Sequence, residues 1–337
     1  MRRFIFYIIL MVFLFSGKLC AQQLPLTTQY LFNPYAINPA MAGYFGYAEL
    51  YLDYRREWVN IQGGPQTFRL SGFGQIYQDK MWLGGEVYSD KTGAFSTFKA
   101  SISYSYILQT GDNQNLFFGI WGNYFQHSFN LSNVTGIDPN DPLIQNRSSI
   151  NGSVFNAGFG IDYNRLDFNI GFAMPNAFSN NSIPSPTKPD FSMQREAIFY
   201  ASNIFSIDDQ WQILGSVVFR KTKNEPLLTE GSAMAIFDKQ FWSGLTYRNT
   251  GVLALNIGGY LFKGIVFNYA YEIGTSGISR ASGGSHEITL SFRMGMQGSN
   301  YFENKNQGNR PGRRVKRYRY NEQLGPQIID YQNKDNR

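Results

Sequence analysis

The chain has 337 residues, of which 17% are aromatic and 16% charged, with 34 glycines and a formal net charge of +6. Residues 1–21 carry +3 and residues 305–337 carry +6, which leaves −3 for residues 22–304, so the basic character lies at the ends. No stretch after residue 21 approaches the ~20 consecutive apolar residues of a membrane-spanning helix, which excludes a helical membrane protein.

The first 21 residues are predicted to be a cleavable signal peptide. Two arginines precede an unbroken apolar stretch from Phe4 to Phe15, and small residues mark a cleavage site after Ala21. This stretch is too short for a membrane anchor, which needs ~20 apolar residues. Lipid attachment at Cys20 is disfavoured because Leu19, which is not small, precedes it. Cys20 is the only cysteine, so the mature chain is expected to contain no disulfide and no cysteine-ligated metal.

Residues 22–47 form the next segment, which shows no strand periodicity. It contains the two steps Asn33-Pro34 and Asn38-Pro39. Because proline has no backbone donor and restricts the residue before it, we predict an extended segment that folds back on itself. Its aromatic residues favour packing over a mobile leader, either as a plug in a barrel or along the periplasmic mouth.

From residue 48 to residue 294, apolar and polar residues alternate with a period of two, as in strands whose side chains point to opposite faces. Between Thr97 and Leu108, for example, Phe98 and Ile102 share one face and Ser101 and Ser103 share the other. The predicted strands run over residues 48–58, 66–77, 82–90, 96–108, 114–127, 153–164, 167–174, 196–206, 211–221, 231–238, 241–249, 251–262, 264–274 and 285–294.

These strands predict an all-β fold, a transmembrane antiparallel β-barrel of about 14 strands. One face of the strands is rich in Phe, Tyr, Ile and Leu, while the other carries Gly, Ser, Thr and Asn. A soluble β-sandwich is the alternative, but its inner face would be apolar. Most of the strands have the ~9–11 residues that a tilted spanning strand needs.

The lengths of the connections predict an orientation in the outer membrane. With both termini in the periplasm, the two longest connections, 128–152 and 175–195, fall on the outer side, where barrels carry their longer loops. In this arrangement Trp82, Trp211 and Trp242 each begin an outward-running strand. They are therefore predicted to belong to the aromatic girdle at the periplasmic interface.

Residues that would carry enzymatic chemistry are sparse. His127 and His286 are the only histidines, and both are interpreted as polar residues at the ends of strands. Ser285 precedes His286 directly, so their side chains would point to opposite faces of a strand, which is poor geometry for a nucleophile and its base. We predict no enzymatic activity, no metal site and no cofactor.

Residues 295–337 form a basic tail that is predicted to be periplasmic. Its candidate partner-binding residues are Arg313, Arg314, Lys316, Arg317 and Arg319. Two interpretations remain open, a solvated disordered tail and a segment that docks on an acidic periplasmic partner. Nucleic acid is not an expected partner, because the chain is exported.

Two blocks of residues resemble the motifs of the PorP/SprF family. The first block comprises Gln29, Tyr30, Asn33, Asn38, Pro39, Ala40 and Gly43, and the second comprises Tyr54, Arg55, Trp58, Gly63, Pro65 and Thr67. The chain departs from the residues usual in the family at Met41 and Glu57, and its basic tail is longer than most members carry. The resemblance covers roughly residues 22–294.

The resemblance implies an outer-membrane component of the type IX secretion and gliding machinery of Bacteroidota. Such a component supports secretion, surface display and anchoring of a cognate adhesin, which is recognised through the adhesin's C-terminal domain. The expected partners are that adhesin, periplasmic secretion or gliding components, and outer-membrane lipid. The alternative is a passive or ligand-selective channel, because a fourteen-stranded barrel can enclose a ligand path unless it is plugged.

Overall fold

The computed structural model describes residues 27–77, 80–111, 113–131, 149–178, 180–181, 192–262, 264–275 and 280–294. The predicted signal peptide (1–21) and the basic tail (295–337), with its five candidate partner-binding residues, lie outside the described residues. Within the described ranges, no helix is long and apolar enough to cross a membrane.

Fourteen strands form a closed antiparallel barrel, which confirms the predicted fold. In chain order the strands are β1 (Ala48–Arg56), β2 (Gln66–Tyr77), β3 (Met81–Thr92), β4 (Phe95–Gly111), β5 (Gln114–Asn130), β6 (Ser149–Arg165), β7 (Phe168–Met174), β8 (Asn180–Asn181), β9 (Ser192–Met193), β10 (Glu196–Ser206), β11 (Trp211–Thr222), β12 (Leu228–Phe237), β13 (Phe241–Arg248), β14 (Val252–Phe262), β15 (Ile265–Gly274) and β16 (Ser285–Met294). The short strands β8 and β9 pair only with each other, in the connection between β7 and β10.

The barrel closes through the first and last strands. β1 pairs with β16 in a register that runs from Ala48 opposite Met294 to Arg56 opposite His286. Every other barrel strand pairs with the barrel strands before and after it in the chain. Closure satisfies the backbone donors and acceptors of both edges, which a sheet in lipid requires.

Several strand boundaries differ from the prediction by a few residues, and three of these differences have a clear physical reason. β5 ends at Asn130 and β6 begins at Ser149, because the two strands continue to pair beyond the residues in which apolar and polar side chains alternate regularly. The rings of Phe95 and Phe129, 4.6 Å apart, pack across this extension. β1 instead ends at Arg56, because Trp58 adopts a positive φ of 50° that a strand cannot accommodate.

The wall of the barrel exposes apolar side chains and buries polar ones, as the alternation predicts. Ile102, Ile120 and Phe155 point outward and are 66, 60 and 72% exposed, whereas Ser103 and Asn156 point inward and are buried. An outer surface with so many exposed large apolar residues would be unfavourable in water and suits contact with lipid.

The two ends of the barrel carry different connections. At one end, the connections 78–80, 112–113, 166–167, 207–210, 238–240 and 263–264 have two to four residues each. At the other end lie the longest connections, 57–65, 131–148, 175–195 and 275–284. We call these the short-turn end and the loop end. Both connections that were predicted to be longest leave from the loop end.

Candidate functional site

An N-terminal segment, residues 28–47, occupies the lumen of the barrel and is called the lumen segment below. Its hydrogen-bond partners point inward from seven of the fourteen barrel strands: Asp53 on β1, Ser71 on β2, Ser103 on β4, Asn164 on β6, Asn169 on β7, Tyr200 on β10 and Glu287 on β16. The segment also shares a buried apolar cluster with Leu214 on β11, Met234 on β12, Trp242 on β13 and Val266 on β15, so it lies inside the ring.

The lumen segment is folded into three 3-10 turns, Gln29–Leu31, Pro34–Ala36 and Pro39–Met41. The predicted extended conformation is therefore wrong for this part of the chain. The two Asn-Pro steps begin turns because a first turn leaves its amide groups without partners, so a missing N–H costs nothing there. The side chain of Asn38 caps one turn by accepting a hydrogen bond from Ala40 N at 2.9 Å.

Aromatic side chains join the lumen segment to the barrel wall. The ring of Phe32 stacks on Trp242 with 5.7 Å between centroids, and Tyr35 meets Phe73 and Trp121 edge-on at 5.4 and 6.2 Å. Pairs of this kind contribute about 0.5–1.5 kcal/mol each beyond their buried area. The Tyr35 hydroxyl shares a hydrogen bond with Ser103 at 2.7 Å.

The buried tryptophans correct the predicted girdle. Trp82 and Trp242 are 0 and 3% exposed and point into the lumen, so the girdle prediction is wrong for both, while Trp211 points outward. Gly43 of the first motif explains the position of Trp82. A Cβ on Gly43, which has a φ of +82°, would lie 2.3 Å from the indole ring of Trp82.

Inward-facing glycines set how closely the lumen segment approaches the wall. A Cβ on Gly119 would lie 2.2 Å from the backbone nitrogen of Ala40 and 2.4 Å from the carbonyl carbon of Pro39. A Cβ on Gly160 would lie 1.8 Å from the side-chain oxygen of Asn38. The Asn-Pro-Ala part of the first motif therefore fits against strands that have no side chain at the points of contact.

Two asparagines of the first motif bind the wall directly. Asn33 donates to Asp53 at 3.2 Å and to Ser71 at 3.1 Å. Asn38 donates to the hydroxyl of Tyr200 at 2.8 Å, and this hydroxyl in turn donates to Asp162 at 2.7 Å. The buried side-chain nitrogen of each asparagine thus has hydrogen-bond partners.

A buried cluster of charges lies near the loop end of the barrel and is called the Arg55 cluster. The guanidinium of Arg55 binds the carboxylates of Glu57, Glu272 and Glu287 at 2.8, 2.6 and 3.1 Å. Arg248 continues the cluster, because it binds Glu230 at 2.7 Å and lies 3.6 Å from Glu272. Multiple partners offset the cost of burying these charges.

The two motifs meet at the Arg55 cluster. Thr28, at the beginning of the lumen segment, donates to Glu287 from its backbone nitrogen at 3.1 Å and from its hydroxyl at 2.9 Å. Thr27 also donates to this carboxylate. Glu287 therefore joins the lumen segment to Arg55 of the second motif.

The remainder of the second motif shapes the connection 57–65 at the loop end. Trp58 donates from its backbone nitrogen to Ser285 at 3.3 Å, and Gly63, with a φ of 77°, accepts from the backbone of Gly93 at 2.9 Å. The carbonyl of Pro65 accepts from Glu57 N at 2.9 Å. These bonds tie the connection 57–65 to the beginning of β16 and to the connection between β3 and β4.

Other motif residues lie apart from the Arg55 cluster. Thr67 donates to Asp90 at 2.7 Å inside the barrel, whereas Tyr54 points outward and is 43% exposed. Tyr30 packs in a buried group with Ile198 and Val218. Gln29 is buried in the first turn of the lumen segment.

The opposite end of the lumen segment is held by another arginine. Arg293, near the short-turn end of β16, binds Glu49 at 2.7 Å. Its guanidinium carbon also lies 5.7 and 5.5 Å from the ring centroids of Phe45 and Tyr47, within the range of cation–π attraction. The lumen segment is therefore held at both ends of the barrel.

The histidines make local contacts with neighbouring strands. His127 shares a hydrogen bond with Thr97 at 3.0 Å, and His286 shares one with the hydroxyl of Tyr269 at 2.6 Å. Ser285 points inward and is buried, on the face opposite to His286. In the part of the chain that the structure describes, no three His, Cys, Asp or Glu side chains form a group that could hold a metal ion.

Glu272, Glu287, Arg248 and Glu230 did not emerge from the motifs, although they share a recognisable signal. Each is a charged residue at an inward position of a strand, although Glu230 lies one residue before the predicted strand 231–238. A charge at such a position must be paired inside the barrel, so the alternation itself marks these residues.

Several solved barrels are similar in fold at low sequence identity. The toluene transporter TodX of Pseudomonas putida is 10% identical with a TM-score of 0.48, covering 78% of this chain and 94% of its own. A FadL homologue of Pseudomonas aeruginosa is 11% identical with a TM-score of 0.45, covering 80 and 94%. Omp33 of Acinetobacter baumannii is 8% identical with a TM-score of 0.44, covering 74 and 98%. No curated protein matches the chain.

One protein family matches most of the chain. The family described as type IX secretion system membrane protein PorP/SprF matches residues 19–292, a range that contains both motifs and nearly the entire barrel. A closed barrel with an apolar outer face is the form in which bacterial proteins cross the outer membrane with strands. The chain thus belongs to the PorP/SprF family and is an outer-membrane component of the type IX secretion system.

Proposed function

We propose that this protein supports secretion of a cognate adhesin and retains it at the cell surface by binding the adhesin's C-terminal domain at the loop end. The filled lumen carries this proposal. The lumen segment is bound to the wall near both ends of the barrel, so a solute or a polypeptide would have to pass a segment that is fixed inside the lumen. We therefore expect the protein to bind its partners at the loop end and at the short-turn end.

The loop end is the better candidate for the adhesin. It carries the two longest connections, 131–148 and 175–195, and the hydrogen-bonded connection 57–65. Bacterial barrels place long loops outside and short turns in the periplasm, so we assign the loop end to the cell surface. A surface adhesin would meet the protein on this side.

The short-turn end is the candidate contact with periplasmic components. Met294, the last residue of β16, lies at this end, so the basic tail begins there. We propose that Arg313, Arg314, Lys316, Arg317 and Arg319 bind an acidic surface of a periplasmic secretion or gliding component. Basic, weakly apolar tails can order when they bind.

Surface display of the adhesin tests the proposal. A strain that lacks this chain is complemented with the wild type, or with a variant in which residues 131–148 are replaced by a short Gly-Ser turn. We expect the wild type to restore a large surface protein, measured by protease shaving of intact cells and mass spectrometry. The loop variant should reach the outer membrane in equal amount without restoring display. If every surface adhesin stayed in place in the deletion strain, the proposal would be wrong.

A channel is the alternative function, and the filled lumen disfavours it. A passive or ligand-selective pore needs a continuous path past the lumen segment. Polar and aromatic contacts hold this segment to β1, β2, β4, β6, β7, β10, β13 and β16. A pore would therefore require displacement of the segment, which the conductance measurement below detects.

A further inference from the structure

The outer wall of the barrel changes its chemistry in steps toward the loop end on β16, β1, β2 and β3. The register of these strands aligns their outward side chains in rows of four. Toward the loop end, successive rows are Leu290, Leu52, Leu70 and Val87, then Ile288, Tyr54, Phe68 and Ser89, and finally His286, Arg56, Gln66 and Lys91. The last of these is called the basic row. Aromatic side chains concentrate where a barrel passes from hydrocarbon to headgroups, so the basic row lies at the level of the headgroups.

The two cations of the basic row have no partner within the described part of the chain. Arg56 and Lys91 are exposed, and their side chains form no ion pair or hydrogen bond with another described residue. The inward-facing Arg55, by contrast, binds three carboxylates. No outward position of these four strands carries Asp or Glu. The positive charge of the basic row is therefore available to an anion outside the protein.

The spacing of the two cations favours a headgroup with more than one phosphate. Neighbouring strands lie about 4.8 Å apart, so Arg56 and Lys91, with β2 between them, are separated by about 10 Å along the row. A guanidinium binds a phosphate through two parallel hydrogen bonds, and an ammonium binds it as a point charge. A phospholipid with one phosphate meets one cation at a time. The lipid A disaccharide of lipopolysaccharide, with a phosphate at each end, meets both.

We infer that the basic row binds the phosphates of one lipopolysaccharide molecule of the outer leaflet, with acyl chains lying against the apolar rows below. Charge complementarity identifies the headgroup, and the lipid-facing wall continues directly into the site. The row extends from β16 across β1 to β3, so the bound lipid braces the seam at which the barrel closes. The inference rests on the assignment of the loop end to the cell surface and not on binding of an adhesin.

Lipid binding by the purified barrel tests the inference. The full chain is refolded in detergent micelles and titrated with lipid A that carries two phosphates, and bound lipid is measured by native mass spectrometry. Arg56→Gln, Lys91→Gln and the double variant remove the cations from exposed positions. The control is the double variant Lys221→Gln and Lys223→Gln, which removes two exposed cations near the loop-end terminus of β11. The shift in electrophoretic mobility on heating verifies that each variant is a folded barrel.

We expect affinity for lipid A to fall about fivefold for each single variant and about 25-fold for the double variant, while the control stays near the wild type. Phosphatidylglycerol and phosphatase-treated lipid A should bind the wild type as weakly as lipid A binds the double variant. Equal affinity of the wild type and the double variant for lipid A would overturn the inference. Equal affinity of the wild type for phosphatidylglycerol and lipid A would also overturn it. No adhesin is present, so neither result bears on the proposed function.

Discussion

At the scale of single residues, Arg55 and Glu287 have the clearest structural roles. They lie far apart in the chain, yet Glu287 binds both Arg55 and Thr28 and so connects the wall to the lumen segment. The sequence placed Arg55 in a motif but did not show which charged residues bind it, because the pairing with Glu272 and Glu287 depends on closure of the ring between β1 and β16. An ion pair that forms only when the barrel closes cannot be predicted from the sequence pattern of a single strand.

Substitution of Arg55 tests the buried cluster. Arg55→Ala leaves the carboxylates of Glu57, Glu272 and Glu287 without their shared counter-charge. We expect the free energy of unfolding to fall by about 3–5 kcal/mol, the cost of breaking a buried ion pair by removing one partner. Urea titration of the barrel refolded in detergent micelles, followed by tryptophan fluorescence, measures this loss.

The neighbouring residue gives a matched control. Arg56 is on the same strand but points outward and is exposed, so Arg56→Ala should change stability by less than ~1 kcal/mol. Equal losses for Arg55→Ala and Arg56→Ala would contradict the role of the Arg55 cluster.

Gly119 tests the close fit of the lumen segment. Gly119→Leu places side-chain atoms where the backbone of Pro39 and Ala40 now lies. Overpacking of this kind costs about 1–3 kcal/mol, and we expect a lower urea midpoint and faster proteolysis of the lumen segment. Gly122→Leu on the same strand is the control, because a Cβ there meets nothing within 4 Å. Gly119→Leu and Gly122→Leu of equal stability would show that the segment does not press against β5.

At the scale of elements, the strands were predictable and the lumen segment was not. Period-two alternation identified each of the barrel strands, because the two faces of a barrel strand meet lipid and lumen. The conformation of the lumen segment depends on contacts with many strands at once. The inward positions of Trp82 and Trp242 follow from that segment, since their rings pack on Gly43 and Phe32. Without the segment, an interfacial girdle was the reasonable expectation.

Conductance measures whether the lumen segment closes the barrel. In planar bilayers, we expect the wild type to show little steady conductance, because the described lumen is filled. A variant that lacks residues 28–43 should conduct steadily, since a fourteen-stranded barrel without its filling encloses a path. Open-pore conductance of the wild type, equal to that of the deletion variant, would favour the channel over the proposed function.

At the scale of the whole molecule, the barrel presents different chemistry at its two ends. The loop end carries long connections around the Arg55 cluster, and the short-turn end carries compact turns and the start of a basic tail. Two ends that differ in this way suit the proposed function, in which the protein binds one partner at the loop end and another at the short-turn end. Membership of the PorP/SprF family identifies the type IX secretion system as the machinery that contains this protein.

Co-purification tests the central claim most directly. The affinity-tagged protein is isolated from its native cells in mild detergent, and its partners are identified by mass spectrometry. We predict that a secreted surface protein with a C-terminal targeting domain accompanies the wild type and the variant truncated after residue 294. It should be lost from the variant in which residues 131–148 are replaced. A wild-type barrel that purifies without any secreted protein, or a loop variant that retains the same one, would contradict binding at the loop end.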